Sequence, residues 1–303
     1  MFKRILIPLD GSELATYAIK PALRVALTEQ SECILLRVVE PPPVIMDDTA
    51  TQVATWSTDV IPHRKREAET YLDTVKQAWE QLMPQITTCV EVGMPARTII
   101  EQAEKFGCEL IVMTTHGRSG IQRWMMGSVA EKVLRFAPCP VLILRDDVAL
   151  THFLVTVDGS YLSEMVLEPT FALAGSLGPR VTLLRVEDPQ DRPDPAVIEA
   201  LTAINPSMGE HYNHDFYGQT ERYLQNIIDQ YDDSPLEIEF DISRGKSAER
   251  IVATAKRDGC ELIAMATHGR TGLSRWRYGS TTEKVLRLAE HALFVVRPPE
   301  EET

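Results

Sequence analysis

The sequence predicts an α/β fold built from two doubly wound, five-stranded parallel-sheet domains in tandem. Three observations lead to this prediction: strand and helix patterns alternate along the chain, the alternation occurs twice, and the two copies share a long repeated segment. Strands that alternate with helices form βαβ units, whose right-handed crossovers place helices on both faces of a parallel sheet. We expect the two domains to comprise residues 1–147 and 148–303.

The repeat is clearest at residues 111–135 and 263–287, where 16 of 25 positions are identical. Within it, HGRSGIQRWMMGS of the first half corresponds to HGRTGLSRWRYGS of the second. Near the start of each half, ILIPLDGS at 5–12 corresponds to FLVTVDGS at 153–160. Such internal self-similarity indicates duplicated structural units.

The elements of the first half follow from hydrophobic periodicity and flanking residues. The predicted strands are RILIPLD, CILLRVVE, TTCVEVG, CELIVMTT and CPVLILR, which have the length and the apolar or β-branched residues of strands. The predicted helices are SELATYAIKPALRVALTEQ, PARTIIEQAEKFG and SVAEKVLRFA. Ser12 is expected to cap the first helix, and Pro21 to disturb it locally. Residues 41–62 are predicted to be irregular, and a polar-faced helix is predicted across roughly 63–83.

Composition and charge narrow the class of protein. Hydrophobic residues make up 44% and charged residues 25% of the 303 positions, the balance of a soluble globular protein. The net charge of −13 argues against a broad nucleic-acid surface, which is normally basic. No apolar run has the length of a membrane span, and the N-terminus does not resemble a signal peptide. Five cysteines without metal-site spacing suit reduced, mostly buried thiols, so we expect a cytoplasmic protein without nucleic-acid or membrane partners.

Two aspartates fall where a doubly wound sheet binds its ligands, outside the carboxyl ends of the strands. The first predicted strand of each half ends in Asp10 or Asp158, and Gly-Ser follows each of them. A carboxylate at this place can hold metal-bound water at a ligand. Its alternative role is to cap the helix that follows.

The repeated loop follows the fourth strand of each half and leads to a Gly-Ser pair at the start of a helix. These pairs are Gly127-Ser128 and Gly279-Ser280. Unpaired backbone N–H groups and the partial positive charge at a helix N-terminus favour phosphate, and glycine lets the backbone approach closely. Arg118 and Arg270 can offer forked charge to phosphate oxygens. The combination indicates a nucleotide site in each half.

At these residues the chain resembles the universal stress protein family. Its nucleotide-binding members carry Gly-x2-Gly-x9-Gly-(Ser/Thr) after the fourth strand and an aspartate that ends the first. The nine-residue spacing is met by residues 118–126 in the first half and 270–278 in the second. The chain departs from the motif at its first glycine, which is Thr114 in one half and Ala266 in the other.

The resemblance covers essentially both halves and implies a tandem universal stress protein with Rossmann-like, adenine nucleotide alpha hydrolase-like domains. Family members that bind ATP place the adenine near the end of the second strand and the phosphates in the glycine loop. The resemblance therefore implies ATP, together with magnesium, as the ligand of this chain. It implicates Asp10, Val38, Gly117, Arg118, Gly120, Gly127, Ser128, Asp158, Val186, Gly269, Arg270, Gly272, Gly279 and Ser280.

Three functions are compatible with these residues. The first is an ATP-binding universal stress protein that acts as a nucleotide-dependent regulator or interaction protein, with a protein partner still to be identified. The second is a slow ATPase or a nucleotidyl-transfer enzyme, and the third is an interaction module with vestigial nucleotide clefts. The sequence lacks a G-x4-G-K-[ST] loop, a G-x-S-x-G elbow and an HExxH motif. We therefore assign no catalytic or metal-ligating residue and favour binding over catalysis.

The two sites are not expected to be equal. Thr114 is β-branched and costly wherever φ is positive, whereas Ala266 adds only a Cβ. The second loop also carries Arg277 where the first has Met125. Both differences predict tighter ATP binding in the second half.

The last strand of each half, CPVLILR or LFVVR, is apolar and is expected to lie at a sheet edge. Exposed edges of this kind invite pairing with another strand. We therefore predict that the two halves form an intramolecular pseudo-dimer. A homodimer of chains is the weaker alternative.

Overall fold

The computed structural model describes residues 1–41, 50–82, 85–115, 126–178, 180–188, 195–267 and 279–297. Within these ranges, only the backbone is described for residues 50–59 and 211–217. The chain divides into two compact units. The first comprises Met1–Ala149 with Glu290–Thr303, and the second comprises Leu150–Ala289.

Strands and helices alternate through both units. Up to residue 149 the elements are β1 (Arg4–Pro8), α1 (Glu13–Thr16), α2 (Ile19–Glu29), β2 (Glu32–Val39), α3 (Ala50–Trp79), β3 (Ile86–Val92), α4 (Pro95–Phe106), β4 (Leu110–Thr114), α5 (Ser128–Phe136) and β5 (Val141–Leu144). After residue 149 they are β6 (His152–Thr156), α6 (Tyr161–Glu164), α7 (Leu167–Leu177), β7 (Arg180–Glu187), α8 (Pro195–Ile204), α9 (Pro206–Gln230), β8 (Glu237–Arg244), α10 (Ser247–Asp258), β9 (Leu262–Ala266), α11 (Ser280–Leu288) and β10 (Ala292–Val296).

The sheet of each unit is mostly parallel. In the first unit the strand order is β3-β2-β1-β4-β5-β10, and in the second it is β9-β6-β7-β8. Strand β10 belongs to the second sequence repeat, but it lies in the first unit and pairs antiparallel with β5, Phe294 opposite Leu142. In each unit the first strand lies between the second and the fourth strands of its repeat, as in a doubly wound fold. The predicted α/β fold is confirmed.

Burial of the central strands on both faces explains why their sequences are continuous apolar runs. Side chains at 5–7 in β1 and at 153–155 in β6 are fully buried. A central strand of a parallel sheet is covered on both faces, so it cannot alternate apolar with polar residues. Each such side chain contributes about 1.5–3 kcal/mol by its burial.

The helix predicted at residues 12–30 is interrupted in the structure. Short helix α1 ends at Thr16, the chain turns at Tyr17 and Ala18, and α2 begins at Ile19. Pro21 therefore lies in the first turn of α2, where a backbone N–H has no intrahelical partner to lose. The helix is therefore interrupted as expected, but the interruption lies before Pro21 and not at it.

The prediction of an irregular segment through residue 62 was wrong in its second part. Helix α3 begins at Ala50, and Pro62 lies inside it. A proline removes one backbone hydrogen bond, whereas the other residues of a 30-residue helix keep theirs. Pro62 is therefore a local defect and not the boundary of the helix.

None of the helices within the described ranges combines the length and the apolar character that crossing a bilayer requires. All five cysteines are free, and four of them are buried: Cys33, Cys108, Cys139 and Cys260. Burial raises the pKa of the Cys33 thiol to about 12, so this group stays a neutral thiol at physiological pH.

The ends of α2 and α7 provide a matched pair for a stability prediction. Gln30 closes α2 in the left-handed conformation at φ 55°, and Gly178 closes α7 at φ 70°. A side chain in this conformation costs about 1 kcal/mol relative to glycine. Gln30→Gly is therefore expected to raise the free energy of unfolding in urea by about that amount, and Gly178→Gln to lower it. Equal stabilities of the two variants and the wild type would contradict the assignment of these caps.

Candidate functional site

The turn after β1 is built around the carboxylate of Asp10. Its Oδ1 accepts hydrogen bonds from the backbone N–H of Ser12 at 2.9 Å and from the Ser12 hydroxyl at 2.6 Å. The Ser12 hydroxyl in turn accepts from the N–H of Ala15 at 3.2 Å and caps α1, as predicted. Asp10 therefore orients the capping serine and does not cap the helix itself. The carboxylate is held at the carboxyl end of β1.

The second unit repeats this turn after β6. Asp158 Oδ1 accepts from the Ser160 N–H at 2.9 Å and from the Ser160 hydroxyl at 2.6 Å. Ser160 caps α6 by accepting from the N–H of Ser163 at 3.2 Å. The predicted aspartates thus occupy equivalent places in the two units.

An arginine from the second strand packs against this turn in each unit. In the first unit, Arg37 donates to the carbonyl oxygen of Leu9 at 3.2 Å, and its guanidinium carbon lies 5.7 Å from the centre of the Tyr71 ring. Its Nη1 lies 3.1 Å from the place that a Cβ on Gly11 would take, and Gly11 has φ +81°. Glycine is required here by the backbone conformation and by the close approach of Arg37.

The equivalent pair in the second unit is Arg185 over Tyr223, again at 5.7 Å. Sequence reasoning assigned no function to these arginines and tyrosines. The signal was present, because LLRV and the Tyr-Leu pairs ETYL and ERYL recur in both halves. Only the tertiary structure shows that the two repeated motifs meet.

A cavity of about 700 Å³ lies at the carboxyl ends of β1, β2 and β4 of the first unit. This volume is in the range of pockets that hold small organic ligands. Its lining includes the polar residues Asp10, Arg37 and Tyr71. It also includes the apolar residues Val38, Val39, Ile99 and Met113. The cavity also reaches Val129 and Ala130 in the first turn of α5.

Tyr71, which lines this cavity, has a hydroxyl group that can still form a hydrogen bond. The Tyr71 hydroxyl is buried and has no hydrogen-bond partner among the described residues. Burial raises its pKa, an effect that Arg37 opposes and Asp10 reinforces, so the group stays a neutral O–H. In the second unit the Tyr223 hydroxyl donates to Glu164 Oε1 at 2.9 Å. Burial and this hydrogen bond raise the pKa of Tyr223.

The predicted Gly-Ser pairs begin α5 and α11. The N–H of Gly127 donates to the Thr115 carbonyl oxygen at 3.0 Å, and that of Gly279 to the Thr267 carbonyl oxygen at 2.9 Å. Both glycines have φ in the ordinary negative range, −66° and −56°, so the backbone alone does not require glycine. The absence of a side chain leaves the first turn of each helix open to approach.

The expected handicap of Thr114 is not present. Thr114 ends strand β4 in extended backbone, and Gln30 is the one non-glycine residue with positive φ among the described residues. A β-branched residue costs nothing in a strand. The prediction of weaker ATP binding in the first half therefore has no support from Thr114. Its other basis, Arg277 of the second loop, lies outside the described residues.

The remaining predicted residues divide into two groups. Val38 and Val186 lie near the carboxyl ends of β2 and β7, each half-buried. The loop residues lie outside the described residues: Gly117, Arg118, Gly120, Gly269, Arg270 and Gly272.

The two tyrosines are expected to respond differently to loss of the hydroxyl. Tyr223→Phe removes a hydrogen bond to Glu164 and should lower the free energy of unfolding by about 1 kcal/mol. Tyr71→Phe removes a buried group without a described partner and should leave stability unchanged or slightly raised. Urea unfolding of both variants without added ligand measures the difference. An equal loss in both would show that the Tyr71 hydroxyl has a partner in the protein.

Comparison with known proteins identifies relatives that match about half of the chain and solved structures that match nearly all of it. Universal stress protein MJ0531 of Methanocaldococcus jannaschii is 36% identical over 146 residues, covering 48% of this chain and 83% of that protein. Universal stress protein YxiE of Bacillus subtilis is 32% identical over 149 residues, covering 48% of this chain and 100% of that protein.

Solved structures match over the full chain and support the fold. A universal stress protein from Archaeoglobus fulgidus has a TM-score of 0.60 and 19% identity, covering 97% of this chain and 98% of that chain. The functionally unknown protein PA1789 of Pseudomonas aeruginosa has a TM-score of 0.70 and 21% identity, covering 98% and 93%. The universal stress protein family itself matches the chain twice, over residues 1–145 and 150–297. The chain therefore belongs to the universal stress protein family and carries two of its domains in tandem.

Proposed function

We propose that this chain binds an adenine nucleotide, ATP with magnesium, and acts as a nucleotide-dependent regulator or interaction protein in a stress response. The observation that carries the proposal is the cavity of the first unit, which combines apolar walls with a buried tyrosine hydroxyl lacking a described partner. A nucleotide needs this combination, because its base is flat and largely apolar whereas its sugar and phosphates are polar.

The apolar lining residues of the cavity suit the base. They are Val38 and Val39 at the end of β2, Ile99 of α4 and Met113 of β4. The Tyr71 hydroxyl can donate to a polar atom of the ligand, which would satisfy a group that is otherwise buried without a described partner. Binding would therefore remove an unfavourable feature of the ligand-free protein.

The start of α5 suits the phosphates. Its first-turn N–H groups carry the positive end of the helix dipole, and Ser128 adds a hydroxyl beside them. Gly127 leaves room for close approach of a phosphate to this turn. The family resemblance adds Gly117, Arg118 and Gly120 of the preceding loop as phosphate ligands.

Asp10 suits a magnesium ion that accompanies the phosphates. Its Oδ1 is oriented by Ser12, and a carboxylate has lone pairs for further interactions beyond these two hydrogen bonds. Magnesium keeps several waters when it binds protein and phosphate, so a carboxylate can hold it through those waters. Asp158, Val186, Gly279 and Ser280 are the equivalent residues of the second half.

We also propose a cytoplasmic protein whose two repeats form an intramolecular pseudo-dimer. The antiparallel pairing of β5 with β10 supports this proposal, because these are the last strands of the two sequence repeats. Separately expressed segments 1–147 and 148–303 should then associate when mixed, as measured by analytical ultracentrifugation. Segments that never associate would contradict it.

Nucleotide binding is testable with a double variant. Gly127→Val together with Gly279→Val should abolish ATP binding in calorimetry, because the branched side chains crowd the phosphate position. Valine can adopt the observed conformations near ψ 149° and 147°, so thermal unfolding without nucleotide should stay as in the wild type. Wild-type protein that shows neither heat nor a thermal shift at about 1 mM ATP, a level that detects even weak sites, would refute the proposal.

The same samples separate a binding protein from an enzyme. We expect bound adenine nucleotide in mass spectra of the purified chain and no release of inorganic phosphate during long incubation with ATP and magnesium. Phosphate release that the double variant lacks would favour the slow ATPase instead. Transfer of AMP to an acceptor would favour the nucleotidyl-transfer enzyme.

A further inference from the structure

We infer that the two clefts differ in kind: the first accepts the adenine base, whereas the buried carboxylate of Glu187, paired with the half-exposed Arg244, occupies the corresponding place in the second and excludes it. This inference rests on the proposed function and assigns a specificity role to residues that the family motif does not include. Its basis is a comparison of equivalent positions, each taken within its own unit.

Backbone hydrogen bonds establish which positions are equivalent. The N–H of Gly93 donates to the carbonyl oxygen of Val39, and the N–H of Gly245 donates to that of Glu187, both at 3.1 Å. Val39 lies opposite Val92 in the register of β2 and β3. Glu187 lies opposite Arg244 in the register of β7 and β8. The two valines of the first unit are therefore replaced by a glutamate and an arginine at the equivalent positions of the second unit.

The charged pair is connected to the neighbouring helix. Glu187 is only 6% exposed. Its Oε2 accepts from Arg244 Nε at 3.1 Å, and its Oε1 accepts from the Thr220 hydroxyl on α9 at 3.2 Å. The residue before ETYL in the first half is Ala68, and the residue before ERYL in the second is Thr220. In the second unit, β7 and α9 are therefore joined by the side chains of Glu187 and Thr220, which are larger and more polar than Val39 and Ala68.

In the first unit two of these three positions, 39 and 68, line the cavity. Val39 and Ala68 are both among its lining residues, so no side-chain bond between them closes the space. The tyrosines of the two units differ in the same way. The Tyr223 hydroxyl donates a hydrogen bond to Glu164, whereas the Tyr71 hydroxyl has no partner among the described residues. Glu164 occupies the place of Thr16, each four residues after the capping serine.

The buried carboxylate opposes a base. To make room, the Glu187 carboxylate would have to leave Thr220 and Arg244, and a buried carboxylate without partners is strongly unfavourable. The second cleft therefore discriminates against adenine.

The stoichiometry of ATP binding tests the inference. Calorimetry on the full chain should give one ATP per chain, and Gly127→Val alone should remove it. The triple variant Glu187→Val, Arg244→Val, Thr220→Ala, which gives the second unit the residues of the first, should bind two. The reciprocal variant Val39→Glu, Val92→Arg, Ala68→Thr should weaken binding at least tenfold. Circular dichroism and thermal unfolding check that each variant is folded.

The outcomes separate this inference from the proposed function. Two equal sites in the wild type, or binding that survives Gly127→Val, would overturn the inference and leave nucleotide binding standing. A folded triple variant that still binds one ATP would show that the ion pair is not the obstacle. If that variant does not fold, undiminished binding by the reciprocal variant would overturn the inference. No ATP binding by the wild type at all would overturn the proposed function itself.

Discussion

The position of β1 in the sheet determines where the first unit can hold a ligand. β1 pairs with β2 on one side and with β4 on the other, and later strands are added outward in both directions. The connections that leave β1 and β4 therefore diverge and leave a crevice beyond the carboxyl ends of the strands. Asp10 and Thr115 lie at that edge because each follows one of these strands, and Arg37 lies near the carboxyl end of β2. The second unit repeats the arrangement around β6.

In both units, an arginine of the second strand lies between a glycine turn and a tyrosine ring. The arginine joins three segments that are distant in sequence: the turn after the first strand, the second strand itself and a long helix. This shared arrangement sets the shape of each cleft, so differences in ligand preference must come from the residues around it. Buried charge is the largest such difference, since a carboxylate needs partners that a valine does not.

Much of the fold follows from sequence, and the reasons for the exceptions are physical. The strands and α4 are short apolar runs or strongly periodic segments with clear ends, and the structure has them at the predicted places. The break at Tyr17 leaves no such sign, because no glycine or proline marks it. The start of α3 was misplaced because prolines lead the segment 41–62, which was therefore predicted to be irregular throughout. The helix begins within this segment, at Ala50, and tolerates the one missing hydrogen bond at Pro62.

The candidate site was predictable in outline and not in detail. Asp10 follows a strand and Gly127 precedes a helix, both of which periodicity locates, so their place at the carboxyl edge of the sheet follows from parallel topology. The pairings of Arg37 with Tyr71 and of Glu187 with Arg244 depend on register and on helix packing. A sequence shows that these residues exist and recur, but it does not show which of them meet.

The pairing of β10 with β5 has a consequence for how the chain is made. The strands β1 to β5 leave the ribosome first, and β10 follows only after the whole second unit. At a translation rate of about 5–20 residues per second, this delay lasts on the order of ten seconds. During that time the apolar residues 141–144 of β5 form an unpaired edge, the kind of surface that promotes aggregation and attracts chaperones. With this topology, the β5 edge has no β10 to pair with until the second repeat has been synthesised.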